Sequence, residues 1–176
     1  MTTLRAFIAL FAVSLAAAPP CFAAAASVDS DSNIPARILA MHNRERAAVG
    51  SPPLAWDPAL AASAASYGPT LASLGRLAHS PRETRPGQRE NLAMGSTGYY
   101  GIEDLVGFWI KEKRLFKSGL FPKVSYTGQW EDVAHYTQMI WKGTTNVGCA
   151  LHNKGDRSYL ICRYSPPGNA DGRPVF

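Results

Sequence analysis

Two short segments near the C-terminus constrain this 176-residue chain more than any other feature. Val147 to His152 and Ser158 to Tyr164 are strand-like, and Asn153-Lys154-Gly155-Asp156-Arg157 between them has the composition of a hairpin loop. An antiparallel register that sets His152 opposite Tyr159 also sets Cys149 opposite Cys162. Opposed residues of a non-hydrogen-bonded pair lie close enough for a cross-strand disulfide. The loop it closes is short, which limits the entropic gain to about 3 kcal/mol, so the bridge staples a sheet and does not create the fold. Ser165-Pro166-Pro167-Gly168-Asn169 then stops the second strand.

The compartment decides whether those thiols oxidise. Arg5 supplies a short positive region, Ala6 to Ala18 is apolar, and Pro19, Pro20 and the alanines from Ala23 to Ala26 offer small-residue cleavage choices. The apolar run is too short for a permanent span, so residues 1–24 are expected to be a signal peptide, with an uncleaved anchor as the alternative. Residues 25–33 then form a flexible lead-in, and 34–176 form one domain of ordinary size without repeats. The expected location is outside the cytoplasm, extracellular or periplasmic. Cys21 leaves with the signal, and Ala18, Pro19 and Pro20 before it make a poor lipoprotein acceptor. The remaining cysteine pair in an exported protein favours a disulfide over a catalytic thiol. Losing Arg5 and no acid lowers the formal charge from +5 to +4. That balance suits an anionic membrane or cell-wall surface and is too small and scattered for nucleic acid.

Helical signals fill the first half. Asn33 is placed to cap a helix with Pro35 in its first turn, and Ile34, Ile38, Met41 and Ala48 recur at helical spacing up to Gly50. Arg37, Arg44 and Arg46 are expected to point away, and His42 and Asn43 to be buried structural residues beside the apolar stripe. Asp57-Pro58 caps a second helix, Ala59 to Leu74, whose small side chains allow close packing and which Gly75 ends. Residues 81–88 read as a surface loop and Glu90 to Met94 as a short strand. A third helix is expected from Ile102 to about Phe116, with Leu105, Val106, Phe108 and Trp109 on its apolar face. Glu112 lies on or beside that face, where a carboxylate needs a partner. Residues 117–129 read as an ordered loop.

Glu131 to Trp141, EDVAHYTQMIW, combines titratable groups with a dense apolar run. As a helix it sets Glu131 one turn before His135, an arrangement that serves a metal, a proton relay or a local ion pair equally well.

His135-Tyr136-Thr137-Gln138-Met139-Ile140-Trp141, then Tyr159 to Asn169 (YLICRYSPPGN), together with Glu90-Asn91-Leu92-Ala93, resemble the CAP superfamily, in its bacterial SCP-domain form. That superfamily contains cysteine-rich secretory proteins, insect antigen 5 and plant pathogenesis-related group-one proteins. The likeness runs from about Ile34 to the C-terminus. It implies an α+β fold, a three-layer α–β–α sandwich with a small antiparallel sheet between helices. It also implies a central cleft holding His79, Glu90, Glu112 and His135 as a metal site, and ranks Glu131 below Glu112. Members usually carry Gly where this chain has Arg89 and Ala134, and Arg89 is placed to pair with Glu90 or to narrow the cleft.

Two imidazoles with carboxylates suit zinc or another divalent metal, with the Glu residues either orienting the rings or holding a water. The chain lacks HExxH, and Ser80 and Thr137 adjoin the two His in sequence without implying a triad. The expectation is an exported binding protein, with metal in the cleft and a lipid or sterol in a groove lined from among Phe108, Phe116, Phe121 and Tyr126. The alternatives are a metal-dependent hydrolase or protease, and a surface interaction or defence module without cleft chemistry.

Overall fold

The computed structural model describes residues 33–176; the expected signal peptide, Cys21 and nearly all of the lead-in lie outside the described residues. Helix α1 spans Ile34–Ala48, with Pro35 in its first turn. Asn33 precedes it but makes no side-chain cap, contrary to expectation. Strand β1 (Ala55–Trp56) leads to α2 (Pro58–Leu74). Asp57 caps α2 by accepting from the Ala59 and Leu60 N–H groups, and Gly75 ends it at φ 63°. Strand β2 is Arg89–Ser96 and α3 is Ile102–Ile110, shorter than expected because its last turn tightens to a 3₁₀ turn over Lys111–Leu115. A 3₁₀ turn at Trp130–Val133 enters α4 (Ala134–Ile140), followed by β3 (Asn146–Lys154) and β4 (Arg157–Ser165).

The sheet runs β1-β3-β4-β2. The long strands are antiparallel, and two-residue β1 adds a parallel edge to β3. Cys149 faces Cys162 and His152 faces Tyr159, the register expected from the cysteine spacing. The two cysteines are disulfide-bonded with Cα atoms 4.1 Å apart, which is the close spacing of directly opposed antiparallel residues.

Helix α2 covers one face of the sheet, and α1, α3 and α4 cover the other, giving an α–β–α sandwich. Close approach on the α2 side requires missing side chains. A Cβ on Gly148 of β3 would collide with the Asp57 carbonyl oxygen, and one on Gly68 would sit 2.9 Å from His152 Cβ. Ala64, Leu71, Ala72, Leu92, Tyr159 and Ile161 fill that interface. Strand alternation sends Ala93, Leu160, Cys162 and Tyr164 into the larger core on the other face, with Leu105, Val106, Trp109 and Met139.

One helix face departs from expectation. Arg46 of α1 is fully buried, not solvent-directed. Its Nε donates to Pro52 O at 2.6 Å, and its Nη atoms donate to the carbonyls of Met139, Trp141 and Thr144 at 2.8–3.0 Å. The guanidinium thus satisfies four carbonyls around the end of α4, where C=O groups lack helical partners. His42 is buried as expected, and Asn43 bonds both the N–H and the C=O of Leu54.

Candidate functional site

A cleft of about 800 Å³ opens at the end of the sandwich where β2 begins, and His79, Glu90 and His135 all line it. His79 lies in the extended stretch after α2, held near the helix by the Tyr67 hydroxyl donating to Ala78 O at 2.7 Å. Glu90 is the second residue of β2 and points to the α2 face, as do Leu92 and Met94. His135 is the second residue of α4, and Glu112 reaches it from the 3₁₀ turn after α3.

The four residues form two pairs. His79 Nδ1 is 2.8 Å from Glu90 Oε1, and His135 Nδ1 is 2.6 Å from Glu112 Oε1. An ionised carboxylate only accepts, so each Nδ1 carries a proton, and in the neutral ring the lone pair sits on Nε2. Neither Nε2 has a protein partner among the described residues. His79 is the more open ring, with 55% of its side chain exposed against 31% for His135.

The two carboxylates are held differently. Glu90, its side chain inaccessible to solvent, accepts from His79 and from Ser80 N and Ser80 Oγ at 3.0 Å, and is ion-paired with Arg163 Nη2 at 3.1 Å. Burial alone would raise its pKa. The His79 hydrogen bond, the Arg163 charge and the two Ser80 donors outweigh burial and hold the carboxyl below its ordinary range. Glu112 Oε2 accepts the His135 and Tyr136 N–H groups at 3.0 Å, so this side chain caps the N-terminus of α4 from a distance.

Behind His135 the packing is polar and ordered. Its ring stacks on Trp109 with centroids 6.1 Å apart and planes 11° from parallel. Asn91 Nδ2 donates to His135 O and to the Tyr164 hydroxyl, which donates in turn to His42 Nε2 at 2.8 Å. His42 must accept there, because its Nδ1 donates to the Ile38 carbonyl. Complete burial first, then the Arg46 charge, push its pKa down to about 4 against the opposing Ile38 bond. The C-terminal turn closes over α4. Thr137 Oγ1 donates to Asn169 Oδ1, Asn169 Nδ2 donates to Ala134 O, and a Cβ at Gly168 would meet Trp141 Cγ at 2.7 Å.

Several expectations change here. Glu131 lines the cleft but makes no ion pair with His135, since the 3₁₀ turn at Trp130–Val133 breaks the helical spacing. Arg89 does not pair with Glu90; it donates to Gly168 O and Asn169 O. Ser80 Oγ is committed to Glu90, and Thr137 Oγ1 to Ala134 O and Asn169, so neither hydroxyl is bonded to an imidazole. Phe121 lines the cleft, whereas Phe108 and Phe116 pack against the core and Tyr126 is exposed. Sequence reading missed Arg82, Arg85 and Trp130 as lining residues. The only signal for the arginines was the charge density of residues 81–89, which reads as a solvated loop.

The donor set limits what form a metal site here could take. Among the described residues no three His, Cys, Asp or Glu side chains cluster in a way that could hold an ion. A closed four-ligand site is therefore not built here. Two imidazoles whose Nδ1–H groups are held by carboxylates have the ring support that metal-ligating histidines carry, and supply two of the protein ligands that an open site uses.

The family described as the cysteine-rich secretory protein family, CAP, matches residues 39–164. Pathogenesis-related protein 1C of Nicotiana tabacum is 35% identical over 139 residues, 78% of this chain and 78% of its own length. A pathogenesis-related protein of PR-1 type from Sambucus nigra is 32% identical over 145 residues, 82% of this chain and 83% of its own. Among solved structures, that of NaASP2 with Zn2+ superposes with a TM-score of 0.67 at 23% identity, covering 82% of this chain and 85% of that one. At that identity the likeness is one of fold.

Proposed function

This chain belongs to the cysteine-rich secretory protein, or CAP, family, and on that premise we propose that it is an exported binding protein whose cleft takes a divalent metal, zinc being the favoured case. His79 and His135 would hold it through Nε2, and Glu90 and Glu112 would fix tautomer and ring orientation through Nδ1. When bound, the ion supplies a Lewis-acidic centre with open positions for a further ligand. The observation that carries this reading is the pairing of each imidazole with its own carboxylate at one cleft.

A binding role is favoured over hydrolysis through a side-chain nucleophile because, among the described residues, no hydroxyl in the cleft is hydrogen-bonded to either imidazole, and Cys149 and Cys162 are consumed in the disulfide. Zinc in the NaASP2 crystal supports the choice of ion. Export is supported by the family's secretory members and by the disulfide. Among the described residues no helix is long and apolar enough to cross a membrane.

The test is calorimetric titration of EDTA-treated protein with zinc at neutral pH. One saturable site is expected for the native protein, with affinity down at least tenfold in His79→Ala and again in His135→Ala; each added or lost tenfold is about 1.4 kcal/mol. Unchanged zinc uptake in the double variant, with thermal unfolding intact, would sink the assignment.

A further inference from the structure

The cleft is lined by two groups of residues of contrasting character, and this contrast names a ligand class. One group is Arg82, Arg85 and Arg89, from the 3₁₀ turn at Arg82–Thr84 and the first residue of β2. Phe121, Pro122 and Trp130 line the same cleft.

The arginine group is built and its charge is not neutralised. Arg85 is buried, with Nε donating to Ser80 O and Ser80 Oγ and Nη1 to Gln88 O. Arg89 is anchored by Gly168 O and Asn169 O. These anchors are carbonyl and hydroxyl oxygens, which orient a guanidinium without cancelling its charge. Arg82 is exposed and its guanidinium makes no hydrogen bond among the described residues.

No carboxylate is in ion-pair contact with any of the three among the described residues. Glu90, adjacent to Arg89 in sequence, already accepts from three donors, and its charged partner is Arg163. Arg82 and Arg85 instead press on Arg89. Desolvation first, then these two like charges, push its pKa down, with Asp171 opposing from beyond contact. Three like charges held beside one another over a concave surface attract an anion, and two of them have little conformational freedom left to lose on binding it.

The aromatic lining selects what the anion is attached to. Trp130 is 37% exposed and braced edge-on by buried Phe121, with ring centroids 5.2 Å apart. A half-exposed indole held in one orientation offers a flat face for a ring. Glu131 follows Trp130 in sequence and also lines the cleft, so an anionic end is repelled here and drawn to the arginines.

We propose that the cleft binds a small ring-bearing anion, its phosphate, sulfate or carboxylate group seated between Arg82 and Arg89 and its ring on Trp130. This rests on the reading of the cleft as a binding site but does not need the metal. An aryl acid and an acidic or phosphorylated sugar share this chemistry, and the probes separate them.

The experiment is an NMR titration of EDTA-treated protein with phenyl phosphate, glucose 6-phosphate, inorganic phosphate and benzylammonium, following the Trp130 indole N–H and the Arg89 Nε–H. Saturable shifts at both are expected with phenyl phosphate or glucose 6-phosphate, the tighter of the two naming the ring class. Inorganic phosphate should move Arg89 alone, and benzylammonium neither. Arg82→Gln removes a charge without removing a structural bond, and should weaken the better probe roughly fivefold or more. Trp130→Ala should weaken it while leaving inorganic phosphate unchanged.

Equal binding of benzylammonium, unchanged affinity in Arg82→Gln, shifts confined to other surfaces, or no binding at all would each overturn the inference. Zinc uptake is measured on the same samples. Loss of zinc binding with phenyl phosphate retained counts against the metal alone, and the reverse counts against the anion site alone.

Discussion

The two faces of the sheet solve the same problem, holding a carboxylate against an imidazole at the cleft, by different means. On the α2 face the interface is small and apolar, and Glu90 is secured by a buried counter-charge, its cross-strand neighbour Arg163. On the other face the core is larger and carries a buried polar chain from His42 through Tyr164 and Asn91 to His135, with Glu112 secured mainly by backbone N–H groups. A charge partner has no substitute once it is buried, whereas a helix N-terminus at a partly open rim can turn to water. The first dyad should therefore be brittle and the second forgiving.

The largest expected effect tests the brittle side. Arg163→Met leaves Glu90 buried without its cation, and breaking such a pair costs about 3–5 kcal/mol. Arg163 Nε and Nη1 are buried without protein partners, so removing them also relieves a burden and the expectation lies near the lower end of that range. Urea unfolding at neutral pH measures it, and Glu90→Leu combined with Arg163→Met should recover part of the loss. A cost below about 1 kcal/mol for Arg163→Met would mean that Ser80 and His79 suffice, and the contrast between the faces would fall.

A second prediction sharpens the polar chain on the opposite face. His42 has a folded pKa of about 4 against an ordinary value of 6.5, so the folded state keeps it neutral while the unfolded chain takes up a proton. The unfolded state binds more protons between those values, and stability therefore falls as pH drops through that window. Across it the loss approaches roughly 3 kcal/mol, at up to about 1.4 kcal/mol per pH unit. Denaturation between pH 7 and 5 should show a steeper decline for the native protein than for His42→Gln. Parallel curves would mean that the chain tolerates a charged imidazole.

How much of this was legible in the sequence depended on how local the cause was. The Cys149–Cys162 register and the caps of α2 follow from spacing and from Asp57, Pro58 and Gly75, each acting within a few residues. Arg46 was misjudged because the groups that satisfy it, the carbonyls of Pro52, Met139, Trp141 and Thr144, are brought together only by the fold. The preference for Glu112 over Glu131 came from family likeness, since helical periodicity alone favoured the residue four before His135. Arg163 stood in plain view within the YLICRYSPPGN run, yet only the β2–β4 pairing sets it opposite Glu90.

The smallest expected effect tests the forgiving side. Glu112→Ala removes the acceptor for the His135 and Tyr136 N–H groups and for His135 Nδ1, and losses of this kind run to about 1–2 kcal/mol. The freed groups lie beside side chains that remain partly exposed, 18% for Glu112 and 31% for His135, so water can take over and hold the cost below that of Arg163→Met. Glu112→Gln keeps an acceptor oxygen and should recover about half of the loss. The ring of His135 reports the same event without reference to stability: released from Glu112, it no longer has a reason to lie parallel to Trp109, and its ring-current-shifted proton signals should move toward ordinary values. A Glu112→Ala loss equal to that of Arg163→Met would show that the α4 terminus depends on this carboxylate as strictly as Glu90 depends on its cation, and the two faces would then differ in composition but not in kind.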